Sequence, residues 1–269
     1  MAWNVFRVCT GLRVLGSIMI LVVLGVVGVT YYSVVFVNYG PDLLLGGVHS
    51  LISLAVLITF HVLLVMLLWC YFATVFSDPG GVPPDWKPSI DEESGDVTPL
   101  VGFEHNNLAS VHSSGASEFQ NQMTRYCRKC NQFKPRRCHH CSVCGRCILK
   151  MDHHCVWVVN CVGARNYKFF LLFLFYTFLE TSLVALSLLG FFIQFFNDGE
   201  ISQSSGFLVN TFVTFVLNFS FALSIMGFLV MHISLLLSNT TTIEVYEKKR
   251  TQQWYFDLGR KENFEQVID

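Results

Sequence analysis

Charge is what this chain has least of. Only 14% of its 269 residues are Asp, Glu, Lys or Arg, against roughly 25% in an ordinary soluble domain. Two stretches, 38–47 and 197–206, contain no Lys or Arg at all. So poor a supply of charge, with 52% hydrophobic residues and a mean hydropathy of +0.48, excludes a soluble domain. Nothing suggests inverted repeats, broken helices or an ion site, which argues against a transporter. No internal repeat stands out beyond closely spaced cysteine pairs, and there is no C-terminal retention signal of the Lys-Asp-Glu-Leu type. No nucleic-acid partner is expected.

The apolar residues fall in four blocks, Val14–Val37, Val48–Phe76, Phe169–Phe196 and Phe207–Leu237. Each reaches the ~20 residues needed to cross a bilayer. The first is too long for a signal-peptide core, so it is expected to be a retained helix. All 18 basic residues lie before the first block, between the second and third, or after the fourth. The positive-inside rule then predicts that both termini and the large central loop face the cytosol. The expected fold is an all-α polytopic membrane protein of four transmembrane helices, with a cytosolic Cys-rich module between helices 2 and 3. Its parts are a cytosolic N-terminus (1–13), helices 1 and 2 (14–76), a linker (77–124), the module (125–168), helices 3 and 4 (169–237) and a C-terminal segment (238–269).

The linker begins at the breaker run Asp78-Pro79-Gly80-Gly81 and is rich in Pro, Ser, Gly and acidic residues, so it is expected to be flexible and to pack little. His105 and His112 within it read as solvated bystanders.

The chemistry is concentrated between Cys127 and Cys161. That stretch holds Cys127, 130, 138, 141, 144, 147, 155 and 161 together with His139, 140, 153 and 154. Cytosolic thiols stay reduced, so such a cluster binds metal or performs catalysis and does not form a disulfide framework. Two tetrahedral zinc sites would use eight of the twelve groups, and zinc can supply folding energy to a loop with no core of its own. Asp152-His153-His154-Cys155 suggests more. An adjacent imidazole can take the proton of a thiol, and a carboxylate can orient that imidazole. From spacing alone Cys155 could equally be a metal ligand. A RING-like or ribbon-like module would leave a zinc-stapled membrane scaffold or ligase-like adaptor as the rival to an enzyme. Cys9 and Cys70, near membrane boundaries, read as buried small residues or lipidation sites.

The run Cys127-x2-Cys130-x3-Lys134-Pro135-x-Arg137-x-His139-His140-Cys141-x2-Cys144-x2-Cys147-x4-Asp152-His153-His154-Cys155-x-Trp157-x2-Asn160-Cys161 closely resembles the DHHC-type protein S-acyltransferases. Asp78-Pro79-Gly80 and Thr241-Thr242-Ile243-Glu244 stand where that architecture places similar motifs. The resemblance implies that Cys127, Cys130, His140 and Cys147 hold one structural zinc, and Cys141, Cys144, His154 and Cys161 the other. It implies Cys155 as nucleophile, His153 as general base and Asp152 as the group orienting it. It also implies a two-step transfer of a long-chain acyl group, palmitoyl, from acyl-CoA to cysteines of protein substrates near the membrane surface, on an endomembrane or the plasma membrane. His139 would lie close to the acyl donor, Cys138 would be a packing residue, and Thr241 or Thr242 would help position Asp152 while Glu244 braces the C-terminal segment. Residue 156 is Val and residue 136 is Arg where the family commonly has Pro, departures that bear on loop rigidity.

Lys134, Arg137 and Arg136 could pair with the phosphates of coenzyme A, or serve as juxtamembrane positive charge. Glu180 is an acid within a predicted span, about 15 Å deep if the helix starts near Phe170. Phe173, Tyr176 and Glu180 share a helical face, so an acyl tunnel from Cys155 could end at Glu180. A hydrogen bond from Asn218 or His61 is the alternative use for that acid, and His61, His232 and Asn218 read as interhelical hydrogen-bonders. Asn239-Thr240-Thr241 forms a glycosylation sequon that should be silent in the cytosol. Trp254 to Gly259 with Asn263-Phe264 looks like a degraded version of the family's aromatic–Asn motif.

Overall fold

The computed structural model describes residues 5–88, 125–197, 205–248 and 254–268. Most of the predicted linker, with His105 and His112, lies outside the described residues, as does the side chain of Cys9.

Four long helices are apolar on all sides, which suits hydrocarbon and not water. Helix α1 (Val5–Tyr31) runs on through a π-helical turn, Tyr32–Tyr39, and a 3₁₀ turn, Pro41–Leu44. Helices α2 (Gly47–Phe76), α3 (Tyr167–Asn197) and α4 (Ser205–Leu237) follow. The segments long and apolar enough to cross a membrane are Ile18–Leu44, Gly47–Phe76, Tyr167–Gln194 and Gly206–Leu237. The first continues past the expected Val37. The cause is Gly40: a Cβ there would collide with the Val35 carbonyl oxygen, so only glycine lets the chain close this wide turn.

Two buried clusters lie within the bundle. One gathers Val34, Leu57, Phe60, Leu64, Val184, Leu188 and Phe215. The other, at the opposite end of α2 and α3, gathers Leu67, Cys70, Tyr71, Phe170, Phe173 and Leu174 with Cys155, Val158 and Val162 of the module. Cys70 is therefore a packed core residue. Polar groups tie the helices where apolar packing gives no register: Thr211 donates to Asn38 (3.0 Å), Asn218 to Thr30 (3.2 Å) and Tyr39 to the Ser187 carbonyl (2.7 Å).

The Cys-rich module consists of three antiparallel hairpins: β1 (Arg125–Cys127) with β2 (Gln132–Lys134), β3 (His139–Cys141) with β4 (Arg146–Ile148), and β5 (His153–Cys155) with β6 (Asn160–Val162). They repeat one design. Cys127, Cys141 and Cys155 stand fourteen residues apart and pair with Gln132, Arg146 and Asn160, so each cysteine ends its first strand. Each four-residue turn closes on a left-handed residue, Asn131 (φ 52°), Gly145 (69°) and Val159 (53°). The repeat is also written in the ligands, His140-Cys141-x2-Cys144-x2-Cys147 recurring as His154-Cys155-x5-Cys161, although the three-residue strands are too short to carry a hydrophobic period.

The start of the linker does not behave as a loose segment. Asp78 pairs with Arg146 (2.8 Å) and Arg165 (3.6 Å), the Gly80 carbonyl accepts from Leu149 N–H (2.8 Å), and Gly81 bridges to Ile148. Gly163 lets these strands meet, since a Cβ there would lie 2.7 Å from both Ile148 and the Pro79 carbonyl. Two short helices, α5 (Thr242–Lys248) and α6 (Arg260–Ile268), complete the described chain.

Candidate active site and metal centres

Pairing of β3 with β4 sets His140 opposite Cys147, and pairing of β5 with β6 sets His154 opposite Cys161. The turn of the preceding hairpin supplies the other two thiols. Cys127, Cys130, His140 and Cys147 thus converge with their ligand atoms all within 4.8 Å of one another, and so do Cys141, Cys144, His154 and Cys161. Nδ1 of His140 lies 3.1 Å from the Cys130 sulphur and Nδ1 of His154 lies 3.4 Å from that of Cys144. These separations suit four soft donors around one tetrahedral ion with bonds near 2.0–2.3 Å. Both clusters can hold a metal ion, and Cys155 belongs to neither. Cys138 is fully buried beside Cys127 and Cys147.

The third hairpin carries a different constellation. Asp152 is 1% exposed, and its carboxylate accepts from Nδ1 of His153 (2.6 Å) and from the backbone N–H of Thr242 (2.9 Å). The Thr242 hydroxyl donates to the Asp152 carbonyl oxygen (2.6 Å). His153 stands between Asp152 and Cys155 on the same strand and interacts with both. The electrostatics follow from it. Burial alone would lower the pKa of His153, but its bonds to Asp152 and Cys155 outweigh that and push it up to about 9. Burial alone would raise the Cys155 thiol, yet the hydrogen bond and charge of His153, aided by the backbone N–H groups of Val158 and Trp157, hold it below the ordinary thiol range. Asp152 is likewise held down, mainly by His153 against the cost of burial. A thiolate beside an imidazolium is a nucleophile ready to react.

These features, two metal clusters and an activated thiol at the end of an apolar bundle, carry the comparison with known proteins. The DHHC palmitoyltransferase family matches residues 120–249. The chain is 66% identical over its whole length to "Probable protein S-acyltransferase 14" of Arabidopsis thaliana, covering 86% of that protein. It is 34% identical over 98% of its length to "Palmitoyltransferase ZDHHC20" of Bos taurus, covering 73% of that protein. The chain belongs to the DHHC palmitoyltransferase family. It is an acyltransferase of the membrane-integral kind, with its Cys-rich module between the second and third helices.

Several residues of this DHHC protein lie elsewhere than the sequence suggests. Arg137, expected to meet phosphate, forms a buried pair with Glu244 (2.6 and 2.7 Å), donates to the side chain and carbonyl of Asn239 (2.9 and 2.8 Å), and lies over Phe256, 4.6 Å from its ring centre. With these donors spent, Arg137 is a brace. Lys150, which sequence reasoning passed over, is lowered to about 8 first by burial and then by the charge of Arg137. Lys134 and His139 stand half-buried on β2 and β3, and Arg136 lies over the Tyr255 ring at 5.3 Å.

Of the two threonines, Thr242 is the one that reaches Asp152. Thr241 instead forms a capping box with Glu244: the Thr241 N–H donates to the carboxylate (2.9 Å) and the Glu244 N–H to the Thr241 hydroxyl (3.3 Å). Asn239 is buried with its amide donating to the Phe256 carbonyl (2.8 Å) and to Gln266 (3.0 Å). Asn263 is buried too, donating to the Leu237 carbonyl (2.8 Å) and Asp257 (2.7 Å), which docks α6 under the end of α4.

Neither Asn218 nor His61 meets Glu180. Asn218 bonds Thr30, His61 meets the Leu57 carbonyl and Tyr31, and no hydrogen bond of Glu180 occurs among the described residues. Glu180 is 5% exposed on α3, whose start at Tyr167 places it about 20 Å along the helix. His232 pairs with Tyr167 (3.2 Å), and its ring lies 5.9 Å from that of His153.

Proposed function

We propose that this chain moves a long-chain acyl group, palmitoyl in the first instance, from acyl-CoA to cysteine thiols of proteins at the cytosolic membrane surface. The observation that carries this reading is Cys155: a thiol outside both metal clusters, joined to Asp152 through His153.

In the first step the Cys155 thiolate attacks the thioester carbonyl, the carbon–sulphur bond to coenzyme A breaks, and His153 passes its proton to the departing thiolate. In the second, neutral His153 takes the proton of the substrate thiol, whose sulphur attacks the acyl carbonyl and releases Cys155 as thiolate. Asp152 keeps Nδ1 of His153 engaged throughout, leaving the other ring nitrogen to move the proton. Zinc suits both clusters by its preference for tetrahedral sulphur and nitrogen donors, and when bound it supplies folding energy to the hairpins.

Both termini and the module face the cytosol in this reading, because the basic residues gather there. Lys134, Arg136 and His139 approach the phosphates and thioester arm of acyl-CoA, and Arg137 serves by fixing the C-terminal segment beside them. The acyl chain runs along Phe173 and Tyr176 of α3 toward Glu180. Burial of that chain is favourable by about 0.8 kcal/mol per CH₂. Replacing Glu180 with Ala should shift the preference toward longer acyl-CoA, and an unchanged preference removes the tunnel end from that residue.

The central test is direct. Purified protein incubated with labelled palmitoyl-CoA should acquire hydroxylamine-sensitive label, and Cys155→Ser should acquire none while keeping its metal content. Loss of a metal ion in Cys155→Ser would favour a stapled scaffold instead.

A further inference from the structure

The hairpin that carries Cys155 has the backbone of a metal knuckle and lacks its second thiol. In the first two hairpins the leading cysteine is followed at the third position by another, Cys130 after Cys127 and Cys144 after Cys141. In the third, that position is Val158, fully buried in the apolar cluster with Cys155. The N–H geometry is nevertheless kept. Cys144 N–H donates to Cys141 (3.3 Å), and the Trp157 and Val158 N–H groups, the second at the position of Cys144, act on Cys155 in the corresponding turn. Such N–H groups brace a thiolate against its own charge when a metal shares it. Here they face a sulphur with no metal.

One side chain outside the module sets the second of these donors. Tyr71 of α2, fully buried against Phe72 and Phe173 (ring centres 5.2 and 5.3 Å), donates its hydroxyl to the Trp157 carbonyl at 3.0 Å. That carbonyl and the Val158 N–H belong to one planar peptide and point in opposite directions. Holding the oxygen therefore aims the hydrogen, and a hydrogen bond to the carbonyl also strengthens the N–H as a donor. Two more contacts fix the turn. The Asn160 amide donates to the Thr74, Val75 and Ser77 carbonyls (3.1, 3.2 and 2.8 Å) at the end of α2, and Val159 packs where Gly16 of α1 leaves room for it. Val159 is a β-branched residue at φ 53°, a conformation that persists only where its surroundings over-determine it.

We propose that turn 156–159 is a metal-free knuckle whose Trp157 and Val158 N–H groups hold the reacting sulphur, and that Tyr71 is the positioning residue that aims the Val158 N–H. This rests on Cys155 being the acylated residue. Tyr71 touches neither acyl donor nor acceptor in this scheme; it acts through one peptide plane.

The test uses full-length, metal-loaded protein in nanodiscs, with the first-order rate of hydroxylamine-sensitive acylation measured across palmitoyl-CoA concentrations. Tyr71→Phe removes only the hydroxyl. The maximal rate should fall about tenfold, the scale of one lost hydrogen bond, with the half-saturating concentration, metal content and melting temperature unchanged. Tyr71→4-aminophenylalanine, which restores an N–H donor at the same place, should recover the rate. A wild-type rate in Tyr71→Phe overturns the proposal, as does a loss accompanied by lower metal content or melting temperature, or one that the amine fails to rescue. Label on Cys155→Ser would instead remove the underlying reading, whatever Tyr71→Phe does.

Discussion

The first two hairpins and the third put the same short strands, the same cysteine position and the same left-handed turn closure to opposite uses. In β1–β2 and β3–β4 the leading cysteine joins a second thiol, a histidine and a third thiol around a space fit for one ion. In β5–β6 the second thiol has become Val158, and the neighbour of Cys155 is His153, tied to Asp152. Between the second and third hairpins, structure and reactivity are thus separated by Val158 in the turn and by Asp152, since His139 stands two places before Cys141 just as His153 stands two places before Cys155. The lesson is economical: a fold that tolerates thiolates for metal binding needs little change to present one for chemistry.

The comparison breaks most completely at the metal sites. Cys141→Ser should lose one metal ion per chain and nearly all acylation, since the hairpins have little core of their own, whereas Cys155→Ser should lose acylation and keep both ions; metal analysis beside a labelling gel separates the two. Next in size is Glu244→Ala, which leaves Arg137 buried without its partner. We expect about 3–5 kcal/mol of destabilisation, seen as a lower melting temperature, with acylation falling as the α5 contact to Asp152 loosens.

The third test concerns protonation. With Cys155 held below the ordinary thiol range and His153 raised to about 9, the ion pair exists above the first of these values and below the second. Alkylation of Cys155 should therefore remain fast at pH values where an ordinary thiol is silent. His153→Ala should move the alkylation profile to higher pH, because the cation that lowers the thiol is gone; an unmoved profile would disconnect the two residues. The smallest effect is expected for Val158→Cys. It restores the second knuckle thiol, but no fourth hairpin follows among the described residues and no cysteine follows Cys161 to serve as a third thiol. Metal content should stay as in wild type, with acylation lowered by about threefold or less, the size of a conservative core change. A third metal ion would show that Val158 alone keeps this turn free of metal.

The sequence made the bundle and both metal clusters legible for a physical reason. Apolar runs long enough for a bilayer have few other readings, and the density of Cys and His points to two tetrahedral sites, while the ligand set of each came from the family resemblance, since spacing alone left Cys155 a possible ligand. What it hid depends on distance along the chain. Tyr71 is one aromatic among many in α2, and nothing local ties it to Trp157, 86 positions away. Arg137 looked like a phosphate ligand because its partner Glu244 lies 107 residues on. Asp78 and Gly80 read as breakers, and only the folded chain shows them seated on the module. The equivalence of Val158 with Cys144 is written in the flanking ligands, which recur fourteen residues on, but with valine in place of the thiol the step no longer reads as a ligand pair.

Asn160 has a consequence beyond the turn it closes. Its amide grips the last carbonyls of α2, and it sits directly across the strand pair from Cys155. A helix leans further when the lipid around it is thinner than its apolar length, and Asn160 is the contact through which a lean in α2 would reach the acyl-accepting sulphur. The expected outcome is that protein reconstituted into short-chain and long-chain phosphatidylcholine acylates at different rates.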